Sequence, residues 1–212
     1  MKKLLPLLLL ILIGCSEPEP LNYGLLQERD GVHYRKDTNE IYSGPVFNIH
    51  GMKDEGYVKN GKLNGPYKSY HKNGKRFERG NFIEGKLDGT FKEYDENGQL
   101  VYKSTYKDGK KEGPLKSYYE NGQLKKDFTY KNGKVDGPFK NYYKNGQLKS
   151  EGTSNGTIDG PYKRYYENGQ LKEDSTYKDG RLDGLYKFYY SDGPLKEEKT
   201  YEDGELIDSK EY

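Results

Sequence analysis

Gly160-Pro-Tyr-Lys-Arg-Tyr-Tyr-Glu-Asn-Gly-Gln-Leu-Lys-Glu-Asp-Ser-Thr-Tyr-Lys-Asp-Gly-Arg-Leu-Asp183 is one unit of a repeat that runs through most of the chain. Asn-Gly-Gln-Leu starts at Asn97, Asn121, Asn145 and Asn168, and a second marker, mostly Gly-Pro, falls at Gly65, Gly89, Gly113, Gly137, Gly160 and Gly184. The step is 24 residues in every case but one, where it is 23. A fixed period in this range is the signature of a stacked array. Within the unit, Asn168-Gly169 and Asp179-Gly180 lie 11 residues apart. Both dipeptides suit type I′ hairpin turns, which need positive φ. The runs between them carry Tyr and Thr, which favour strands. Each repeat is therefore expected to be a β-hairpin that turns directly into the next, with the Gly-Pro marker as a second turn.

Counting Gly160 as slot one gives the recurring apolar positions. Slot three holds Tyr67, Phe91, Leu115, Phe139, Tyr162 and Tyr186, and slot six is Tyr in all six units, from Tyr70 to Tyr189. Slot twelve is mostly Leu, and slot eighteen holds Phe82, Tyr106, Tyr130, Tyr177 and Tyr201. Slots three and six differ in parity, so both faces of a strand would carry aromatic ladders. Only 31% of the residues are hydrophobic while Tyr numbers 23. A thick Leu/Ile/Val core is excluded, and stability must come from many neighbour-to-neighbour terms. The expected fold is all-β, an elongated antiparallel meander of about seven hairpins forming one twisted sheet, roughly 65 Å long at about 4.8 Å per strand. The 23-residue unit, Gly137–Asp159, has Ser154 where the others carry Tyr or Phe. It predicts a bulge or a missing rung.

The flanks differ from the repeat. Lys2-Lys3, an apolar run from Leu4 to Ile13 and a small residue before a cut site read as a secretory signal peptide, residues 1–14. Leu12-Ile13-Gly14-Cys15 matches the bacterial lipobox, so Cys15, the single cysteine, is the expected lipidation (palmitate-bearing) site. Ser16 after it favours the outer membrane. Residues 15–22, with Glu17-Pro18-Glu19-Pro20, form the lipidated cysteine and a tether, residues 23–43 an N-terminal cap, and residues 44–212 the repeats. The first unit is short, with His50-Gly51 in place of Asn-Gly, and the charged segment Glu197–Tyr212 would blunt an exposed edge.

The chain carries 36 basic and 34 acidic residues, and loss of Lys2 and Lys3 leaves the mature form neutral. Bases and acids are interspersed, which argues against nucleic acid as a partner. His33, His50 and His71 have no zinc-site spacing and no nucleophile elbow is present. No catalytic residue, metal or cofactor is expected. Acid pairs such as Asp108/Glu112 and Asp179/Asp183 resemble calcium ligands, but the matching slots hold Asn60/Asn64, so turn chemistry accounts for them. Slot seven, Tyr119, Tyr143, Tyr166 and Tyr190, is His71 or Asp95 in earlier units. That variation marks the four tyrosines as candidate ligand-binding residues.

The pattern G-P-Y-K-x-Y-Y-x-N-G-Q-L-K resembles the bacterial variant of the MORN repeat, found in proteins filed under a YwqK-type antitoxin label. The resemblance covers about residues 30–208, best in Gly113–Asp136 and Gly160–Asp183. It implies a hairpin array without catalytic residues, and its eukaryotic relatives are linked to scaffolding and membrane-associated assembly. Three functions follow as expectations. The first is a lipid-anchored scaffold of the bacterial cell envelope that binds a protein partner. The second is a cell-wall glycan or peptidoglycan binder using the slot-seven tyrosines. The third is an antitoxin- or immunity-like inhibitor of a toxin.

Overall fold

The computed structural model describes residues 18–49 and 53–212. The signal peptide, Cys15, Ser16 and the His50-Gly51 dipeptide lie outside the described residues. Apart from one 3-10 turn at Tyr23–Leu25, all regular structure is β. A sheet of 19 strands holds the repeats. Leu21–Asn22 runs parallel to Gly44–Phe47, and from there each rung is antiparallel to the next as far as Glu205–Glu211. The short strands Lys62–Leu63, Lys86–Leu87 and Arg181–Leu182 share rungs with the strands that follow them, because both pieces pair with the same neighbour.

The expected two turns differ in kind. Asp108 (φ 50°) and Gly109 (φ 80°) are both left-handed, as a type I′ turn requires, and Lys107 pairs directly with Lys110. At Asn97-Gly98 only Gly98 is left-handed, and its N–H donates to the Asp95 carbonyl at 2.9 Å. That excludes type I′ and leaves a type I turn closed by a left-handed glycine, the common three-residue hairpin loop. Gly-Pro is no chain reversal. Gly113 and Pro114 sit inside the strand Lys110–Tyr118, at a register shift against Ser104 and Tyr106. A glycine at φ 87° followed by a residue without an N–H fits a bulge, where the ladder needs no donor.

Strand parity sorts the side chains. Slots three and sixteen form one continuous row in which large residues oppose small ones up to the last unit, where Tyr186 faces Lys199: Tyr67 faces Gly80, Phe91 faces Ser104, Phe139 faces Gly152 and Tyr162 faces Ser175. Where slot three is the smaller Leu115, slot sixteen is Phe128. Tyr67, Leu115 and Phe139 are buried. Edge-on ring pairs run along this face, at 5.7 Å for Tyr67–Phe82, 5.6 Å for Phe128–Phe139 and 5.7 Å for Tyr162–Tyr177. Each such pair contributes about 0.5–1.5 kcal/mol beyond its buried area. The opposite face is ionic. Lys116–Asp127, Lys140–Glu151, Lys163–Asp174 and Lys187–Glu198 pair across strands at 3.1–3.6 Å. Slot six lies on this polar face, where no ring pair joins its tyrosines among the described residues, and the Tyr165 hydroxyl donates to Glu151 at 2.9 Å. Burial and that carboxylate push Tyr165 up to about 12.

The N-terminal end is closed by a small apolar cluster of Leu26, Tyr42, Val46 and Val58, with Leu21, Tyr23, Ile49 and Leu63 against it. The hairpin of Leu26–Arg29 with Val32–Arg35 supplies part of it. The 23-residue unit loses no rung. Leu148–Asn155 pairs on both sides, and the shorter length is absorbed in the turn, where the Asn155 N–H reaches the Thr157 carbonyl at 3.1 Å. Ser154 replaces the missing ring by bonding the Val135 carbonyl and accepting the Gly156 N–H, both at 3.1 Å.

Candidate functional site

The slot-seven residues stand at the start of the Asn-Gly turns, on one long edge of the sheet. Their hydroxyls are engaged. Tyr119, Tyr143 and Tyr166 donate to the carbonyls of Tyr142, Tyr165 and Tyr189, the slot-six residues of the following units, at 2.7–2.8 Å. His71 does the same through Nε2 to the Tyr94 carbonyl at 2.8 Å. Burial raises the Tyr143 phenol above its ordinary value.

A bulge explains the second contact of this row. Ser117 pairs with Lys126 and Tyr118 with Leu124, which leaves Lys125 as the extra residue. The extra residue re-aims its side chain, as bulges do. Its ammonium sits 5.4 Å from the centre of the Tyr119 ring. Lys149, Lys172 and Lys196 take the same place over Tyr143, Tyr166 and Tyr190, at 5.5, 5.2 and 5.4 Å. In the first full unit both partners change together, and His71 packs on Phe77 with centroids 4.8 Å apart. In the next, slots seven and thirteen are Asp95 and Val101, and Asp95 caps its own turn by accepting the Asn97 and Gln99 N–H groups. The variation along slot seven is thus that of a contacting pair within one edge. Tyr190 differs from its counterparts. It is 44% exposed, and its hydroxyl makes no such bond among the described residues.

An asparagine ladder runs beside the tyrosines. Asn121, Asn145 and Asn168 each accept an N–H from their own turn and donate through Nδ2 to Lys144, Glu167 and Ser191 of the next, at 2.7–2.9 Å. On the opposite edge the I′ glycines reach back. The N–H groups of Gly109, Gly133 and Gly204 donate to Leu87, Lys111 and Leu182 at 2.8–2.9 Å. The acids suggestive of calcium belong to this edge. Glu112 accepts the Asn132 N–H at 2.8 Å and Asp183 accepts the Asp203 N–H at 3.2 Å. Sequence reasoning missed these staples because each joins residues 20–23 apart across two strands.

The histidines are structural where described. His33 Nδ1 donates to the Gly61 carbonyl at 2.8 Å, which leaves Nε2 to accept from the Tyr23 hydroxyl at 2.5 Å. Burial, with Glu28 nearby, pushes Tyr23 up to about 12. Among the described residues no group of His, Cys, Asp and Glu could hold a metal ion.

Six stretches of the chain, residues 63–84, 87–108, 111–132, 135–155, 158–179 and 182–203, match the family described as MORN repeat variant. Together they cover more than half of the chain. No curated protein matches it.

Proposed function

The chain belongs to the MORN repeat variant family, a non-catalytic repeat module of the protein- or membrane-binding kind, and from that membership we propose a non-enzymatic scaffold that presents its hairpin array to a protein partner in the bacterial cell envelope. Lipid on Cys15 would hold it there. The observation that carries this reading is the stapling of both sheet edges, turn to turn, one by Tyr119, Tyr143, Tyr166 and the asparagine ladder and the other by the I′ glycine N–H groups with Glu112 and Asp183. A surface fixed in this way loses little conformational freedom when a partner binds, and preorganisation of that kind favours affinity.

The test is cross-linking of the tagged protein in intact cells of its native host, beside a tagged lipoprotein control. One dominant co-purifying protein is expected, and its absence would overturn the scaffold reading. A co-purifying toxic effector would specify it as an immunity protein. Cys15→Ala should move the protein out of the membrane fraction, and retention there would refute the anchor.

A second reading, glycan binding along slot seven, draws on Tyr190, the tyrosine of that row whose hydroxyl has no hydrogen bond among the described residues. Changing Tyr119, Tyr143, Tyr166 and Tyr190 to Ala should then abolish co-sedimentation with purified cell wall. Unchanged co-sedimentation would exclude that row.

A further inference from the structure

One row of the polar face crosses the sheet through directly opposed residues. It reads Glu55, Lys68, Arg79, Lys92, Lys103, Lys116, Asp127, Lys140, Glu151, Lys163, Asp174, Lys187, Glu198. From Lys116 onward base and acid alternate, and four of these neighbours form the ion pairs described above. From Lys68 to Lys103 the alternation fails. Four cations stand on four successive rungs, and none of them has an ion pair among the described residues. Like charges directly opposite one another destabilise a sheet. The same row shows that the repeat can carry the alternating solution, so this stretch departs from it at a cost in stability. Such local conflicts concentrate at functional sites.

The flanking rows supply no carboxylate to relieve the charge. Pro66, Asn81 and Thr90 lie on one side, Tyr70, Arg76 and Tyr94 on the other. Lys68, Arg76, Arg79, Pro66, Asn81 and Thr90 line a depression of about 310 Å³. Burial, and then Arg79 and Lys103, lower the Lys92 ammonium below its ordinary value. Beyond Glu55, the same face opens into an apolar groove with Pro45, Phe47, Tyr57 and Pro66, where Phe47 and Tyr57 are 40% and 41% exposed.

We infer that the Lys68–Arg79–Lys92–Lys103 ladder is a binding site for a linear polyanion, an acidic polysaccharide bearing a carboxylate on each sugar. The cations form a single file at about 4.8 Å per rung, roughly 14 Å in all, a spacing that suits a chain with one charge per monomer. The exposed rings of Phe47 and Tyr57 and the neighbouring prolines offer apolar surface for the C–H faces of sugars just past the end of the file. A membrane plane fits less well, since the remainder of this face carries Asp127, Glu151, Asp174 and Glu198 in the same row. This site is separate from the slot-seven edge and does not depend on the scaffold reading.

The test uses the full chain in a non-ionic detergent and a linear oligogalacturonate, titrated calorimetrically. A neutral cello-oligosaccharide, anionic phospholipid vesicles and a single-stranded oligonucleotide are the parallel probes. The uronate should bind, and its affinity should fall steeply with salt as counterions are released. The double variant Arg79→Glu/Lys103→Glu restores alternation. It should raise the Tm while lowering uronate affinity at least tenfold, so that loss of binding cannot be loss of fold. Lys131→Glu/Lys178→Glu makes the same change in charge at distant exposed positions and should keep the affinity within about twofold. No uronate binding, equal loss in both variants, or binding to vesicles or oligonucleotide alone would overturn the proposal.

Discussion

Slot sixteen shows how finely single residues are fitted to their rows. Gly152 lies between two rings, and a Cβ there would stand 3.1 Å from both Phe139 Cζ and Tyr162 Cδ2. Gly152→Ala is therefore expected to destabilise by about 1–3 kcal/mol through overpacking. Ser104 fills the equivalent place two units earlier. It is fully buried, and its hydroxyl lacks a hydrogen-bond partner among the described residues. A buried unsatisfied hydroxyl is costly, so Ser104→Ala should be neutral or stabilise by about 1 kcal/mol. Urea unfolding of both variants distinguishes the two signs. Equal destabilisation would mean that slot sixteen is set by something other than room. The alternation of large and small was open to reading in the sequence, since Gly80, Ser104, Gly152 and Ser175 recur in register. What hid it was that the opposing partner lies across the strand pairing, which period alone does not give.

At the scale of the hairpin, half of the turn chemistry was legible. Asp108-Gly109 and its counterparts require positive φ at both residues, and that requirement is written in the dipeptide. Asn-Gly at Asn121 carries the same letters but belongs to a longer loop, where the asparagine serves through its side chain. Gly-Pro was ambiguous for a physical reason, since a left-handed glycine and a missing N–H suit a bulge as well as a turn. The slot-seven tyrosines have a structural partner that the sequence did not show. Their variability suggested a ligand, and in the structure Tyr143 also meets Lys149 and the Tyr165 carbonyl. Tyr143→Phe keeps the ring beneath Lys149 and removes one hydrogen bond. It should destabilise by about 1 kcal/mol, with the loss appearing as faster amide exchange in the Asn145 and Asn168 turns. Exchange unchanged in those turns would show that the edge is not stapled.

Across the whole molecule, stability depends on phenols that must stay neutral. Tyr67, Tyr165 and Tyr186 are pushed up to about 12, in each case chiefly by burial. In the unfolded chain a tyrosine ionises near pH 10, so the folded state holds more protons between about pH 10 and 12. Their contribution is fully present below pH 10 and is lost as pH rises through that window. Absorbance titration of tyrosinate should show one exposed class ionising near pH 10 and a second only as the sheet unfolds. A single class titrating at the ordinary value, with structure intact, would contradict the burial of these phenols. The overall architecture was the most legible level of all, because the period repeats the same instruction six times.

The central claim is that each unit contacts its neighbours alone and repeats their geometry, so that the array is a sum of interchangeable parts. Deletion of one complete unit, residues 113–136, tests this directly. Residues 110–112 would then run straight into residues 137–142 and keep the strand register of the deleted unit. Small-angle scattering on the folded variant should show the long dimension reduced by about 10 Å, the width of two rungs, with an unchanged strand signal in circular dichroism. Loss of the β signal, or an unchanged length, would contradict the account.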